Sequence, residues 1–502
     1  MTTRAVEPKG DRALERYEAV VGIEIHCRLR TATKMFCGCS ADIDGAPPNS
    51  RCCPVCLGLP GALPTINRAA VEHVIATGIA LETRVATTTR WDRKNYFYPD
   101  LPKGYQISQY GLPIAADGRL TFDTSAGPFS VRIRRAHLEE DTGRLIHAQL
   151  PDPVTGRRAR VSLIDFNRAG VPLMEVVTEP DIRTAEQARR YAEEMRLLVR
   201  TIGASDAEME NGQMRVEANV SIRPRGRRRF GTRIEVKNMN SIRAVERAVA
   251  HEIERQAQLL DGGGEVRMET RGWDEARGST YPMRPKEVEN DYRYFPEPDL
   301  PPLEVAPEWL ASIKARLPEL PGARRNRFMT GLGLPAHDAA VIVNDLAATA
   351  LFEGALAAGP EVPARALANW VTGEYMRLAK GEGGSVAGRA EPSELAALVK
   401  LVADGAISGT NAKEVFAEHF GTGATVASIV EARGLRQISD AGALDRAIDA
   451  AIATNPGAVV DYRSGKAAAA GFLLGQVMKA TRGQANAAMV RAALRERLDR
   501  ES

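Results

Sequence analysis

The chain has 502 residues, of which 44% are hydrophobic and 26% charged. At about 150 residues per domain, this length predicts about three globular domains and excludes a single small binding module. The formal charge of +3 excludes a histone-like polycation, so local patches would have to bind any nucleic acid. No window approaches the run of about 18 apolar residues of a membrane span, and the first sixteen residues carry Glu7, Asp11 and Glu15 and no apolar core, so they are not a secretory signal. We therefore expect a cytoplasmic protein without a membrane-spanning segment.

The predicted elements change character near residue 300, at the proline-rich segment 295–302. Before it, residues 20–28 alternate as a strand, 67–82 and 184–200 have helical periodicity, and 214–223 with 230–237 predict a hairpin. After it, segments rich in alanine and leucine at helical spacing predominate, including 440–455. We predict an α+β fold with a strand-rich domain over 1–300, an all-α helical domain over 301–430 and a small all-α tail over 431–502.

The first strand carries two polar side chains on one face. With a period of two, Glu24 and His26 project away from the face of Val21, Ile23 and Ile25. Such a carboxylate and imidazole are either a solvated pair on an exposed face or part of a metal or catalytic site. The sequence leaves both interpretations open.

All six cysteines lie between residues 27 and 56, which is not how a secreted, disulfide-linked fold distributes them. Two close pairs, Cys37 with Cys39 and Cys53 with Cys56, have spacing typical of a zinc knuckle. The alternative is chance clustering of reduced thiols. Four sulfur ligands leave no open position, so the ion would be structural. Cys27 is expected to be a small buried side chain, whereas Cys52 could compete with Cys53.

The segment 91–110 is the most unusual in composition, because six of its twenty residues are aromatic and are interleaved with Arg93, Lys94 and Lys103. Rings that stack on bases, next to cations that contact phosphates, are typical of a nucleotide or single-stranded nucleic-acid surface. A packed aromatic turn is the alternative. No Gly-x-x-x-x-Gly-Lys-Ser/Thr loop is present, so phosphoryl transfer would lack a P-loop.

Two acidic groups are candidates for a divalent cation site. Segment 137–141 contains Glu139, Glu140 and Asp141 in succession, and taken alone it favours a water-exposed loop over an ion site. In the predicted hairpin, Glu217 shares its face with Glu235 on the partner strand. Oxygen ligands from several strands suit Mg2+, although a charged solvent face is the ordinary explanation.

Several longer strings resemble one family. Val-Gly-Ile-Glu-Ile-His at 21–26, Cys-Pro-Val-Cys at 53–56, His-Leu-Glu-Glu-Asp-Thr-Gly at 137–143 and Asp-Tyr-Arg-Tyr-Phe-Pro-Glu-Pro-Asp-Leu at 291–300 are similar to the B subunit (GatB) of the tRNA-dependent amidotransferases. The resemblance runs from about residue 17 to the end, where 475–486 resembles the YqeY-like tail of that family.

The resemblance implies an ATP-dependent ligase subunit that corrects mischarged tRNA. The side-chain carboxylate of Glu-tRNA(Gln) or Asp-tRNA(Asn) would be phosphorylated by ATP, and ammonia would then displace the phosphate to give the amide. Both steps would take place in a strand-rich "cradle" domain over 1–300. A glutaminase, the A subunit, would supply ammonia from glutamine, and a small C subunit would help to hold the heterotrimer together. The rival hypothesis is a non-catalytic zinc-knuckle tRNA-binding protein, which would not require the carboxylates.

The resemblance also assigns roles to residues at matching positions. Glu24 and His26 would belong to the Mg2+ and ATP site, with Glu139, Glu140 and Glu210 as further carboxylates and Lys94 offsetting charge on the transferred phosphoryl group. Asn211 and Glu217 depart from the family pattern, which puts the direct role of Glu217 in doubt. The zinc knuckle at 37–56 would use Cys37, Cys39, Cys53 and Cys56, and the tail would contact tRNA phosphates through Lys479 and Arg482.

Overall fold

The structure, a computed structural model, describes residues 11–151, 154–283, 292–381, 389–436, 441–466, 468–481 and 485–500. By its internal contacts the chain divides into two compact units, Met1–Gly322 and Ala323–Ser502. The first unit combines strands and helices and the second is helical, so the predicted α+β class with a helical C-terminal region is confirmed. The predicted domain boundaries at 300 and 430 remain a prediction.

The strands found among the described residues lie in the first unit. They are β1 Tyr17–Arg28, β2 Arg84–Val85, β3 Thr88–Thr89, β4 Asp92–Asn95, β5 Tyr105–Ser108, β6 Ala115–Thr124, β7 Gly127–Glu140, β8 Arg144–Pro151, β9 Arg158–Asp165, β10 Pro172–Thr178, β11 Met214–Pro224, β12 Ile234–Met239, β13 Glu269–Asp274, β14 Ser279–Pro282, β15 Phe295–Pro296 and β16 Leu303–Glu304.

A nine-stranded sheet in the order β14-β13-β12-β11-β1-β10-β7-β6-β2 forms the centre of this unit. All neighbours pair antiparallel except β12 and β13, which run parallel and are joined through a helix. Three small sheets accompany it: β15-β4-β5, β16-β3 and the hairpin β8-β9. The predicted hairpin is present as β11 and β12, although β12 begins at Ile234, later than the sequence suggested.

The helices of the first unit are α1 Asp11–Arg16, α2 Arg68–Ala80, α3 Ala185–Thr201, α4 Ile242–Asp261 and α5 Pro307–Ala315. As predicted, α3 begins after Thr184, whose hydroxyl accepts from the Gln187 backbone N–H at 3.1 Å. Helices α2, α3 and α4 contribute buried apolar side chains to the same core as the sheet, where Val21, Ile23 and Ile25 are at most 1% exposed. Burial of one face of β1 fixes which side chains remain for the other face.

The second unit contains most of the remaining helices. They are α6 Pro321–Gly331, α7 Ala336–Val343, α8 Leu346–Ala358, α9 Ala364–Trp370, a π-helical turn Val371–Tyr375, α10 Met376–Gly381, α11 Pro392–Ala403, α12 Gly409–Thr422, α13 Val426–Ala432, α14 Ala441–Thr454, α15 Pro456–Arg463, α16 Ala468–Ala480 and α17 Ala487–Arg500. The helix predicted over 440–455 is α14. A C-terminal cluster buries Leu444, Ile448, Leu473, Val477 and Leu494.

Membrane-spanning potential is limited to one bent helix pair. Within the described ranges, no single helix has both the length and the apolar character to cross a bilayer. Helices α7 and α8 satisfy the length and composition criteria only when taken together, and they meet at an angle of 112°.

Candidate active site and metal centre

A cavity of about 400 Å³ opens on the face of the nine-stranded sheet opposite the helices. We call it the acidic cavity. Its sheet wall comes from β1, β7, β10, β11 and β12, and the other wall comes from β4, β5 and the segment before β15. Its polar and aromatic lining includes Glu24, Lys94, Tyr110, His137, Glu139, Glu175, Asn219, Arg233, Glu235, Tyr292 and Tyr294.

Strand register determines which polar groups of the sheet wall meet. His26 on β1 is paired with Glu175 on β10, and Glu175 is in turn paired with His137 on β7. On the other side of β1, Glu24 is paired with Glu217 on β11. Paired residues of adjacent strands project to the same face of a sheet. Four separate strands therefore place imidazoles and carboxylates side by side.

The first group consists of His26, Glu139 and Glu175, whose potential ligand atoms all lie within 4.8 Å of one another. The His26 Nε2 atom is 3.6 Å from Glu139 Oε1 and 3.7 Å from Glu175 Oε2. His137 Nε2 approaches the same Glu175 oxygen at 3.2 Å. Among the described residues, neither His26 Nδ1 nor His137 Nδ1 has a hydrogen-bond partner.

Burial and neighbouring charges shift the pKa values of the three residues in different directions. Burial, reinforced by repulsion from Glu175, raises the pKa of Glu139 to about 8. Burial also lowers the pKa of His26, which favours a neutral imidazole. Burial opposes ionisation of Glu175, yet attraction to His137 and His26 holds its pKa below the usual range. A neutral imidazole and two buried carboxyl groups form a ligand set for a divalent cation.

The second group consists of Glu24, Glu217 and Glu235, again with ligand atoms within 4.8 Å. Unlike the first group, it contains a cation from the protein itself, because Lys237 Nζ contacts Glu217 and lies 3.4 Å from Glu235 Oε1. These carboxylates hold the pKa of Lys237 above its usual value despite the opposing effect of burial. Burial raises the pKa of Glu24, whose Oε1 accepts from Asn219 Nδ2 at 2.8 Å.

The wall facing the sheet presents a lysine and several aromatic rings. Lys94 Nζ lies 4.8 Å from the ring centre of Tyr292 and forms no ion pair within 4 Å in the described parts of the chain, although its charge attracts Glu139 across the cavity. The rings of Tyr110 and Tyr294 are stacked at 4.3 Å with an angle of 15°. Trp91, by contrast, is 1% exposed and packs edge-on against Phe36. The aromatic segment is thus partly packed and partly open to the cavity, and its nucleotide-binding role remains a prediction.

The prediction that 137–141 forms a water-exposed loop was wrong. His137 to Glu140 belong to β7, and Glu139, Glu140 and Asp141 are only 3–4% exposed. The three carboxyl groups are accommodated in different ways: Glu140 contacts Lys103, Asp141 lies 3.2 Å from Arg215, and burial raises the pKa of Glu139 to about 8, which favours its neutral form. Repulsion between adjacent carboxylates therefore does not force the segment into water.

Glu139 and Glu140 lie on opposite sides of β7. The Glu140 carboxylate does not line the acidic cavity; it contacts Lys103 Nζ and accepts from the Ile107 backbone N–H at 2.9 Å. It lines a separate cavity of about 150 Å³ together with Cys37 and Cys56. The structure thus brings together Glu24, His26, Glu139 and Lys94 of the predicted residues, but not Glu140.

The remaining predicted residues lie elsewhere. Glu210 is exposed in the turn before β11 and does not line the acidic cavity. Glu217, whose role the sequence left in doubt, belongs to the second acidic group. Lys479 is exposed in the last turn of α16, and Arg482 lies outside the described residues.

The four predicted zinc ligands converge. The Sγ atoms of Cys37, Cys39, Cys53 and Cys56 all lie within 4.8 Å of one another, which fits the separation of about 3.8 Å that tetrahedral Zn–S bonds of about 2.3 Å require. Both pairs lie in tight turns, and Gly58, after the second pair, has the positive φ of 65° that glycine favours. The prediction of a closed four-thiol group is therefore supported by its geometry.

Neighbouring donors favour the thiolate form of Cys56, whereas burial raises the pKa of Cys39 to about 11. Cys56 Sγ accepts from the Cys53 backbone N–H at 3.2 Å and from Lys34 Nζ at 3.6 Å. A hydrogen bond with Cys37 is the main cause that lowers the pKa of Cys56. Cys52 lies outside the cluster, with its Sγ 4.0 Å from Asn167 Oδ1. Cys27 is fully buried in the core, as expected.

Two residues of these sites were not predicted from the sequence. Glu175 is the only carboxylate in β10, whose other residues are mostly apolar. A charged residue within such a strand was the sequence feature that could have indicated a functional role. Lys103 was noted within the aromatic segment without a specific partner. Its contact with Glu140 depends on the packing of β5 beside β7, which the sequence does not reveal.

A strand-rich domain with a buried imidazole–carboxylate group, an opposing lysine and a cysteine cluster matches a known catalytic domain. Residues 19–311 match the model of the GatB/GatE catalytic domain, and residues 350–498 match the GatB domain. The chain therefore belongs to the GatB family.

Full-length relatives support this membership. The chain is 50% identical over 484 residues to a protein of Moorella thermoacetica named as the B subunit of aspartyl/glutamyl-tRNA(Asn/Gln) amidotransferase, covering 96% of this chain and all of that protein. Proteins of the same name are 48% identical over 490 residues in Roseiflexus sp. strain RS-1, covering 97% of this chain and 99% of the relative. In Anaeromyxobacter sp. strain K the identity is 48% over 486 residues, covering 96% of this chain and 99% of the relative.

Proposed function

We propose that the chain is the subunit of a glutamine-dependent tRNA amidotransferase that activates the mischarged amino acid. It would phosphorylate the side-chain carboxylate of Glu-tRNA(Gln), Asp-tRNA(Asn) or both with ATP, and ammonia would then replace the phosphate. This is an ATP-dependent carbon–nitrogen ligase reaction (EC 6.3.5.-). Its partners would be the glutaminase (A) and C subunits in a cytoplasmic heterotrimer. Support comes from the family membership and from the names of the relatives.

The observation that carries the proposal is the contrast between the two acidic groups of the cavity. Lys237 contacts Glu217 and lies 3.4 Å from Glu235 in the second group, whereas His26, Glu139 and Glu175 have no lysine or arginine at ion-pair distance within the described residues. The group of His26, Glu139 and Glu175 therefore suits Mg2+. When bound, this cation would neutralise negative charge on the phosphates of ATP. A protein that only binds tRNA without catalysis would not need carboxylates that are buried without a lysine or arginine partner.

The residues of the opposite wall would complete an ATP-using site. Lys94 would offer an unpaired ammonium group to the transferred phosphoryl group, since a positioned cation stabilises the charge that develops there. The tyrosine rings of the same wall would give the adenine or the terminal base of tRNA a stacking surface. The cysteine cluster would hold a structural Zn2+ on the other side of β7, and its closed ligand set would leave it outside the reaction.

The test is ATP turnover by the reconstituted heterotrimer with glutamine and mischarged tRNA. The Glu175→Gln substitution removes one potential metal-binding carboxylate from the group of His26, Glu139 and Glu175 and keeps the shape of the side chain. We expect tRNA-stimulated turnover to fall by about two orders of magnitude, a loss typical of removing a group that acts on the transition state. ATP consumption and amide formation on tRNA should fall together.

The matched control is Glu82→Gln, because Glu82 forms an exposed ion pair with Arg119 away from the cavity. It should retain turnover within about twofold, since exposed ion pairs contribute little. If Glu175→Gln and wild type hydrolyse ATP equally, the assigned site is wrong. If the wild-type heterotrimer binds mischarged tRNA without consuming ATP, the non-catalytic alternative replaces the proposal.

A further inference from the structure

The turn between β11 and β12 concentrates positive charge at the end of two inner strands of the sheet. Its sequence, 224–233, is Pro-Arg-Gly-Arg-Arg-Arg-Phe-Gly-Thr-Arg. The side chains of Arg227, Arg228 and Arg229 are exposed, and none makes an ion pair or a hydrogen bond with any described residue. Arg16 and Arg223 nearby form ion pairs with Asp261 and Glu18, whereas these three do not, so they form a distinct local charge. We call residues 225–233 the arginine turn.

The arginine turn is held in one conformation by its neighbours. Arg223 Nη1 donates to the Arg228 carbonyl at 2.7 Å, while its Nε donates to Glu18 Oε2 at 2.7 Å. Arg225 Nε donates to the Leu14 carbonyl at 2.8 Å. At Gly231 a Cβ atom would lie 2.1 Å from the Ile222 carbonyl, so only glycine permits this close approach. The side chains of Arg223 and Arg225 thus hold the turn in place, and those of the next three arginines make no such contact.

A groove of about 320 Å³ lies against the arginine turn. It is lined by Tyr17, Arg223, Arg227, Arg229 and Phe230, and the Phe230 ring is 58% exposed with the Arg223 guanidinium 5.4 Å from its centre. An exposed ring beside cations is a surface on which a base can stack while its phosphates are contacted.

The arginine turn leads directly into the acidic cavity. Arg233, its last residue, lines that cavity and has no ion-pair partner among the described residues. Glu235 follows two residues later in the second acidic group. The chain from Arg227 to Glu235 spans at most about 28 Å, at about 3.5 Å per residue. A polyanion on the turn would therefore have its end within reach of the reacting groups.

We propose that the arginine turn binds the sugar-phosphate backbone near the 3′ end of the tRNA and directs the attached amino acid into the acidic cavity. The inference rests on the proposed function for its choice of RNA. Arg227, Arg228 and Arg229 contact phosphates, and the groove at Phe230 accepts an unstacked base. Phosphate contacts fix position without reading sequence, so the turn serves any tRNA that carries the substrate.

The experiment measures tRNA affinity of the heterotrimer as a function of KCl concentration. The variant Arg227→Gln/Arg228→Gln/Arg229→Gln removes the charges and keeps the Arg228 carbonyl that Arg223 contacts. The slope of log affinity against log salt should become shallower by about 2, at about 0.7 per lost phosphate contact for a single strand. At low salt the dissociation constant should rise about tenfold or more.

Two further variants separate the proposal from general charge effects. The matched control Arg157→Gln/Arg158→Gln/Arg160→Gln removes the same charge from three exposed arginines around the β8–β9 turn and should leave the slope unchanged. Arg227→Lys/Arg228→Lys/Arg229→Lys keeps the charge and should retain the wild-type slope. Phe230→Ala should weaken binding without changing the slope, because stacking releases no counterions.

An unchanged slope in the glutamine variant, or an equal change in the control, overturns the proposal. It is also overturned if the glutamine variant binds tRNA normally but no longer associates with its partner subunits, since the turn would then be a protein interface. Failure of the proposed function is distinguishable from these outcomes. It would appear as wild-type tRNA binding with the expected salt slope but without ATP turnover.

Discussion

The two faces of β7 contrast in how they handle buried charge. On one face Glu139 meets Glu175 and His26, none of which supplies a permanent positive charge. On the other face Glu140 contacts the ammonium of Lys103 beside the cysteine cluster. Neighbouring residues of one strand thus differ, because Glu139 has no lysine or arginine at ion-pair distance among the described residues, whereas Glu140 contacts Lys103. The difference indicates that the cavity is completed by something from outside the chain, whereas the Glu140 contact is complete in itself.

The largest expected effect concerns the cysteine cluster on the Glu140 side. Cys53→Ser/Cys56→Ser removes two of the four thiols, and a structural zinc site loses its closed coordination. We expect the zinc content of the purified protein to fall from about one equivalent to near zero, with a lower midpoint of thermal unfolding because metal binding is coupled to folding. Elemental analysis and calorimetry measure both.

Cys52→Ser is the matched control for this experiment, because Cys52 is adjacent in sequence but outside the cluster. It should keep the zinc content of the wild type. Zinc retained by the double serine variant, or lost equally from Cys52→Ser, would contradict a four-thiol site at these positions.

Strand periodicity accounts for how much of the site could be predicted from sequence. Alternation along β1 correctly placed Glu24 and His26 on the face opposite to Ile23 and Ile25. The same alternation separates Glu139 from Glu140, yet their adjacent charges suggested a single acidic group. The pairing of His26 with Glu175 was inaccessible, because it depends on the register between β1 and β10. Local pattern thus predicts which face a side chain takes, and tertiary register determines which side chains meet.

The same distinction applies to the fold: elements set by local sequence were predicted well, and those set by long-range contacts were not. The Thr184 cap and the helical spacing after it predicted α3 almost to the residue. The start of β12 was placed four residues too early, since Phe230 to Arg233 continue the β pattern but belong to the arginine turn. The close approach of Gly231 to the Ile222 carbonyl fixes that turn. Such a constraint acts between strands and is invisible in either segment alone.

A second prediction tests whether the Lys103–Glu140 contact is complete in itself. Lys103→Met leaves the Glu140 carboxylate buried without its ammonium partner, although the Ile107 N–H still donates to it. Removing one member of a buried ion pair typically costs about 3 kcal/mol or more, so we expect a loss of this order in unfolding free energy. Chemical denaturation measures it. Lys103→Met/Glu140→Gln should recover most of the loss, because no unpaired charge remains.

Arg84→Met provides the surface control, since both members of the Arg84–Asp117 pair are 70% exposed. Its effect should stay below about 1 kcal/mol, as for exposed ion pairs in general. Equal losses for Lys103→Met and Arg84→Met would show that the Glu140 environment is effectively open to water, and the contrast between the two faces of β7 would disappear.

The smallest effect concerns Glu139, whose pKa burial and Glu175 raise from 4.5 to about 8. Between these values the folded chain binds more protons than the unfolded chain, so its free energy of unfolding decreases as pH rises. The stabilising contribution is fully present below the unfolded pKa and is lost as pH rises through the folded pKa. Glu139→Gln cannot titrate, and in chelator the variant should therefore gain stability relative to wild type as pH rises. We expect a change of about 2 kcal/mol between pH 6 and 8, since one pKa unit corresponds to about 1.4 kcal/mol and the folded pKa lies at the upper end of this range.

Thermal unfolding of wild type and Glu139→Gln across this pH range decides the matter, with Glu82→Gln as a control for loss of an exposed carboxylate. A stability difference that is constant with pH, or that shrinks as pH rises, would contradict a buried Glu139 that lacks an ion-pair partner. Adding Mg2+ sharpens the test. A divalent cation held by Glu139 and Glu175 favours the charged carboxylates, so it should stabilise wild type most at pH 8 and reduce the advantage of Glu139→Gln. Because Glu140 already contacts the ammonium of Lys103, the same Mg2+ addition should leave the loss caused by Lys103→Met unchanged, and this separates the two faces of β7 in one experiment.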